Sequence, residues 1–271
     1  MESSDFRRAH PARPVAPYIG GKRNLAKRLV ARIEATPHVT YAEPFVGMGG
    51  VFLRRTLQPK AEVINDWSRE VSNLYRVLQV HYVAFMDMLR FQLTTRAEFE
   101  RLTQVESRTL TDMQRAARFL YLQRVAFGGK VNGRNFGVSY GRAGTFDVTK
   151  LGPMLEDLHV RMAGVVIECL PWQEFMARYD RDDVLFYLDP PYWGSEDDYG
   201  AELFGREQFA LMAEVLASLK GRFILSINDT PGVRETFQGF EVEAVDTTYT
   251  ISGQAQRAGE LIITGGRRSA L

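Results

Sequence analysis

The chain has 271 residues, 45% of them hydrophobic and 25% charged, with a formal net charge of +1. That balance is too apolar for a disordered chain, and no run of about eighteen uncharged apolar residues is present to span a bilayer. A single cysteine, Cys169, excludes a disulfide framework and a multi-cysteine zinc site, and the four histidines show no paired metal spacing. No metal is therefore expected, any cofactor is expected to be organic, and the reducing cytoplasm is the expected compartment. The first sixteen residues contain Arg and Pro but no apolar core, so no secretory signal is read there.

In chain order, Leu25, Leu29 and Ile33 repeat every fourth residue and predict a helix, followed by strands at 39–43 and 61–66. Leu74 and Leu78 open a stretch expected to be helical over 71–104 and again over 110–127. A Gly- and Asn-rich loop follows at 128–137, whose composition favours turns. Strands are expected at 165–170 and 184–189. Phe209, Met212, Leu216 and Leu219 then alternate by three and four, and further strands are expected at 222–228, 241–246 and 261–264. Residues 184–188 and 223–227 are continuously apolar, as strands covered on both faces require. Strands alternating with helices imply an α/β layered sheet. The alternation fails between about residues 71 and 158. The expected organisation is a core from 1–70 and 159–271 with an inserted, mainly helical subdomain at 71–158.

Charge is unevenly placed. Residues 113–142 hold Arg115, Arg118, Arg124, Lys130, Arg134 and Arg142 with no Asp or Glu, interleaved with Tyr121, Phe127, Asn132, Asn135, Phe136 and Tyr140. A solvated face would carry such a run, but aromatic and amide groups between cations also suit a nucleic-acid groove. Residues 180–198 hold seven carboxylates against Arg181.

Three constellations carry chemistry. Ala42-Glu-Pro-Phe-Val-Gly-Met-Gly-Gly50 follows the first expected strand, and its glycines permit a sharp turn and close approach of a ligand. It fails the dinucleotide fingerprint, because Phe52 stands where the last glycine belongs. Asp66 ends the next strand about twenty residues on, where a carboxylate can accept from ribose hydroxyls or simply cap a helix. Asp189-Pro-Pro-Tyr192 follows the buried strand at 184–188. Its two prolines fix φ, so the Asp189 side chain and the Pro190 carbonyl can both face a cleft as acceptors for a planar –NH₂ group. Tyr192 offers a flat face to an aromatic ring.

With these motifs the sequence resembles the S-adenosylmethionine-dependent N6-adenine DNA methyltransferases of the Dam type, in their alpha motif order. Tyr18-Ile-Gly-Gly-Lys22, Tyr121-Leu-Gln-Arg124, Ser226-Ile-Asn-Asp-Thr230 and Gly259-Glu-Leu-Ile-Ile263 extend the likeness over most of the chain. The resemblance implies a Rossmann-like seven-stranded methyltransferase sheet flanked by helices, with the insert recognising DNA. It implies methyl transfer from S-adenosylmethionine to N6 of an adenine flipped out of double-stranded DNA. It places Tyr18, Lys22, Glu43, Phe45, Asp66 and Asp189 around the cofactor, with Trp172 flanking the adenosine. Asp189, Pro190, Pro191 and Tyr192 are the expected catalytic residues. Arg124, Phe127, Lys130, Asn132, Arg134 and Arg142 are the expected DNA contacts. Positions that read base edges in GATC-specific members hold Lys130 and Asn132, and one wedging aromatic position holds Ala143, which puts a GATC specificity in question. A monomer acting in the cytoplasm, in a bacterial cell or from a phage genome, without membrane or metal, is the expected setting. Transfer to cytosine N4, an RNA adenine or a protein amide uses the same two acceptors. A catalytically silent DNA-binding homologue is the non-enzymatic alternative.

Overall fold

The computed structural model describes residues 6–18, 20, 22, 24–126, 134–137, 144–194, 204–251 and 254–266; at 247–251 and 254–258 it describes the backbone alone. The strands are β1 (Arg7–Arg8), β2 (Thr40–Glu43), β3 (Leu57–Gln58), β4 (Ala61–Asn65), β5 (Val166–Glu168), β6 (Val184–Leu188), β7 (Arg222–Asn228), β8 (Glu241–Ile251) and β9 (Gln254–Gly266). The helices are α1 (Ala26–Ala35), α2 (Arg69–Val80), α3 (Tyr82–Leu89), α4 (Arg96–Gln104), α5 (Asp112–Val125), α6 (Val148–Arg161), α7 (Trp172–Tyr179), α8 (Glu207–Ala217) and α9 (Pro231–Thr236). None of the described helices is long and apolar enough to cross a membrane.

Seven strands form one sheet in the order β5-β4-β2-β6-β7-β9-β8. The first five in that order run parallel, β9 returns antiparallel to β7, and β8 pairs antiparallel with β9. Strand order moves outward from β2 to β4 and β5 on one side, and from β6 to β7 on the other. It therefore reverses between β2 and β6. The C-terminal edges at such a reversal open a crevice, because the connections depart towards opposite faces of the sheet.

The central strands are apolar without alternation because both faces are covered. Leu185 and Tyr187 of β6 join the core formed with Leu29, Leu74, Leu120 and Leu155, from α1, α2, α5 and α6. Val184, Phe186 and Leu188 join the opposite core with Phe175, Phe209, Met212 and Val233, from α7, α8 and α9. The residue-by-residue alternation thus survives as a choice between two oils rather than between oil and water. Helices α2, α5 and α6 pack in the first core, against the sheet.

At the N-terminal end of the strands, Glu62 of β4 receives both Nη atoms of Arg161 at 2.7 Å. Its Oε1 also lies 2.9 Å from Arg55 Nη1. All three residues are buried. Arg55 lies 3.7 Å from the Tyr41 ring centroid and Arg161 4.0 Å from that of Phe52, so each guanidinium has an aromatic face as well as a carboxylate. The expected strands at 241–246 and 261–264 prove longer, pairing from Glu241↔Thr264 to Ile251↔Gln254 as a hairpin. Its distal half is polar (Gln254, Gln256, Arg257), so hydrophobic runs alone do not reveal it.

Candidate active site

The sheet delivers one polar residue from each of several strands to the crevice edge. Glu43 ends β2, Asn65 ends β4, Asn228 ends β7, and Asp189 follows β6 directly. They are spaced by strand pairing, with Glu43 opposite Ile64 and Leu188 opposite Leu225. The crevice there is a cavity of about 850 Å³. Tyr18, Lys22, Glu43, Phe45, Asp66, Asp189, Pro190, Pro191 and Tyr192 all line it, so residues far apart in the chain meet at one site.

The glycine loop forms the floor beside β2. Gly47 has φ +49° and Gly49 φ +72°, conformations that side chains oppose. A Cβ at Gly47 would come within 3.2 Å of the Tyr18 ring, and one at Gly49 within 2.7 Å of Leu53 Cγ. Asp66 fastens the loop: its Oδ2 accepts from Gly47 N at 2.8 Å and its Oδ1 from Ser68 N at 2.9 Å. Asp66 therefore both ties the glycine turn and caps the approach to α2. Burial pushes its carboxyl up to about 6 against those two hydrogen bonds. Asn65 stitches the neighbouring loops, donating to the carbonyls of Pro44 and Leu170 and accepting from Leu170 N. Phe45 and Trp172 stand 6.4 Å apart on the wall, and Trp172 Nε1 is fixed by Gln208 at 3.0 Å.

Glu43 is buried and accepts from Tyr41 Oη at 2.6 Å. Burial pushes its carboxyl up to about 8, so it is mostly neutral at pH 7. Asp189 Oδ1 lies 3.0 Å from Lys22 Nζ and 3.5 Å from Ser226 Oγ, and no donor among the described residues reaches Oδ2. Burial pushes the Asp189 carboxyl up to about 6, opposed chiefly by the Lys22 charge. Lys22 is itself only 1% exposed, where the sequence alone leaves a solvated lysine open. Its Nζ donates to Tyr192 Oη at 2.6 Å and to Glu260 Oε2 at 3.3 Å. Asn228 braces the Asp-Pro-Pro-Tyr segment, accepting from Trp193 N at 2.9 Å and donating to its carbonyl at 3.0 Å.

The basic window divides. Arg115 pairs with Glu70, and Arg118 donates to the Leu102 carbonyl. Arg124 lines the cavity, but its donors reach the carbonyls of Val15 and Thr145, tying two loops together. Arg134 donates to Gln123 Oε1 at 3.2 Å. Phe127, Lys130, Asn132, Arg142 and Ala143 lie outside the described residues. The acidic run divides too: Asp180 accepts from the main chain at Lys220 and Gly221, while Asp189 faces the site. Sequence reasoning does not single out Asn65, Ser226, Asn228 or Glu260 as site residues. The last three lie within recognisable motifs, but the partners that make them matter come from distant strands.

This arrangement, with a glycine loop after β2 and Asp-Pro-Pro-Tyr after β6 meeting where strand order reverses, coincides with a family match over residues 18–251. That match is to the model of the D12 class N6 adenine-specific DNA methyltransferases. The chain belongs to this family. It is 27% identical to the type II methyltransferase M1.LlaDCHI of Lactococcus lactis subsp. cremoris, covering 93% of this chain and 95% of the relative. It is 24% identical to the type II methyltransferase M.CviBI of Paramecium bursaria Chlorella virus NC1A, over 93% and 96% respectively. The DNA adenine methylase of Salmonella typhi is 29% identical over 81% of this chain and 84% of its own. The chain is thus an adenine-specific DNA methyltransferase of the D12 class, built on a Rossmann-like sheet.

Proposed function

We propose that this D12 methyltransferase uses S-adenosylmethionine to methylate N6 of an adenine drawn out of duplex DNA, with Asp189 and the Pro190 carbonyl gripping the exocyclic amine. The observation that carries the reading is Asp189. It stands at the β2/β6 reversal with one oxygen engaged by Lys22 and, among the described residues, no donor on the other. An –NH₂ group offers two N–H donors, which match that oxygen and the neighbouring carbonyl.

The residues present fit the cofactor. Asp66 keeps further lone pairs for ribose hydroxyls beside a glycine turn that leaves room for a ligand, and Phe45 and Trp172 supply flat apolar walls. Neutral Glu43 can donate as well as accept, and Tyr18 and Lys22 close the remaining side. Bound there, S-adenosylmethionine supplies a methyl group made electrophilic by its sulfonium. The chain's own task is to improve a poor nucleophile, since the N6 lone pair is delocalised into the purine ring. Acceptors on both amine hydrogens favour a pyramidal nitrogen with its lone pair turned out of the ring plane. Because Asp189 is already held in place, little reorganisation accompanies the reaction. Tyr192, its hydroxyl tied to Lys22, presents a fixed ring for the extruded base, which partly offsets an unstacking cost of a few kcal/mol.

In this reading Lys130, Arg134 and Arg142 meet phosphates, Phe127 and Asn132 meet bases, and Arg124 holds the loops that carry them. The enzyme acts as a monomer in the bacterial cytoplasm or from a phage genome. The test is Asp189→Ala, assayed by tritiated methyl transfer to random-sequence duplex DNA and by mapping the modified bases. The expected result is N6-methyladenine with the native chain, and at least about a thousandfold loss in the variant with cofactor binding retained. Methylated cytosine, or an active variant, would overturn the assignment.

A further inference from the structure

Glu260 lies on β9 opposite Asn228 of β7, is 1% exposed, and does not line the cavity. Yet its two oxygens serve the two groups that flank Asp189. Oε2 accepts from Lys22 Nζ at 3.3 Å, and Oε1 accepts from the Tyr192 hydroxyl. We propose that Glu260 is a positioning residue that holds the Lys22 ammonium away from the second oxygen of Asp189, keeping that oxygen for the substrate amine. The inference rests on the reading that Asp189 grips the amine.

An ammonium has three N–H groups and no acceptor. At Lys22 they meet Tyr192 Oη at 2.6 Å, Asp189 Oδ1 at 3.0 Å and Glu260 Oε2 at 3.3 Å. The charge is therefore divided between two carboxylates, one just after β6 and one on β9. Without the Glu260 charge, Asp189 is, among the described residues, the one ion-pair partner left to a fully buried ammonium, and burial makes an unpaired cation costly. Nζ then gains by straddling both Asp189 oxygens. That move consumes the oxygen that the amine needs. It leaves the glycine loop, Asp66 and the aromatic walls undisturbed, so cofactor affinity should fall less than turnover.

The experiment is Glu260→Gln in the full chain. The substitution keeps the shape and an acceptor for Tyr192 but turns an amide N–H towards Lys22. Expected is a fall in kcat of roughly ten- to hundredfold, less than the loss from deleting one preorganised hydrogen bond to a transition state outright. KM for DNA and the Kd for S-adenosylhomocysteine, measured by calorimetry, should each change less than about threefold, since a kcat-only loss marks an interaction made in the transition state. A crystal structure of the variant should show Lys22 Nζ within hydrogen-bond reach of both Asp189 oxygens. Three results would each overturn the inference: kcat within about twofold of the native chain, cofactor affinity falling as far as kcat, or Lys22 still on Oδ1 alone. Should Glu260→Gln not fold, Glu260→Asp withdraws the same charge by one methylene and should give the same pattern at smaller amplitude. A native-like Glu260→Gln beside an inactive Asp189→Ala removes the positioning role alone. An active Asp189→Ala removes the amine grip beneath it.

Discussion

Lowering the pH should switch off methyl transfer by protonating Asp189, well above the pH at which an ordinary aspartate protonates. The carboxyl is pushed up from 3.8 to about 6 because burial penalises its charged form more than Lys22 restores it. With Lys22 on Oδ1, an added proton settles on Oδ2 and turns the oxygen that the amine needs into a donor, so the active fraction follows ionisation. At pH 5 about one Asp189 in eleven is ionised, against about nineteen in twenty for an aspartate with the ordinary value. Single-turnover methyl transfer, measured with saturating cofactor and DNA, should therefore rise about tenfold from pH 5 to its plateau, with a midpoint near 6. Replacing Lys22 by Gln removes the charge that holds the value down and should move the midpoint upward. A rate flat between pH 5 and 7, or a midpoint unmoved in that variant, would refute the reasoning.

Glu43→Gln imitates the neutral carboxyl and should keep methyl transfer at pH 7 within about threefold of the native rate. The native fold holds an extra proton on Glu43 between the ordinary value of 4.5 and about 8. Native stability therefore falls as pH rises through that window, and urea midpoints of Glu43→Gln should fall less steeply. Glu62→Gln leaves Arg55 and Arg161 buried without their counter-charge and should cost ~3–5 kcal/mol in urea unfolding. Gly49→Ala forces a side chain into φ +72° against Leu53, and should lower Tm by the equivalent of ~1–3 kcal/mol while weakening S-adenosylhomocysteine binding. Replacing Lys130 and Arg142 together by Ala should reduce the salt slope of DNA affinity by about 0.9 for each phosphate that is no longer neutralised. Arg124→Ala should instead lower Tm, because its donors are spent on Val15 and Thr145.

Much of the molecule is written locally. The uninterrupted apolar run from Val184 to Leu188 announces a strand buried on both faces, and the four-residue repeat of Leu25, Leu29 and Ile33 announces a helix with one oily side. Gly47, Gly49 and the Pro190–Pro191 pair declare special backbone because each restricts or releases φ in its own residue. The Asp-Pro-Pro-Tyr segment and the glycine loop are enough to recognise the chemistry. The closing of α2, α5 and α6 against the sheet is not legible, since the pattern there is helix after helix and nothing local says what their apolar faces meet. Lys22, the Asp189–Tyr192 segment and Glu260 likewise form one network from three separated parts of the chain, and a lysine after two glycines has no local reason to be desolvated. Propensity, periodicity and turn chemistry act within a few residues, so the chain can declare its strands, helices and loops in isolation. Charge pairing and desolvation act through space. Only the closing of the sheet decides which oxygen of Asp189 meets an ammonium and which is left for a substrate.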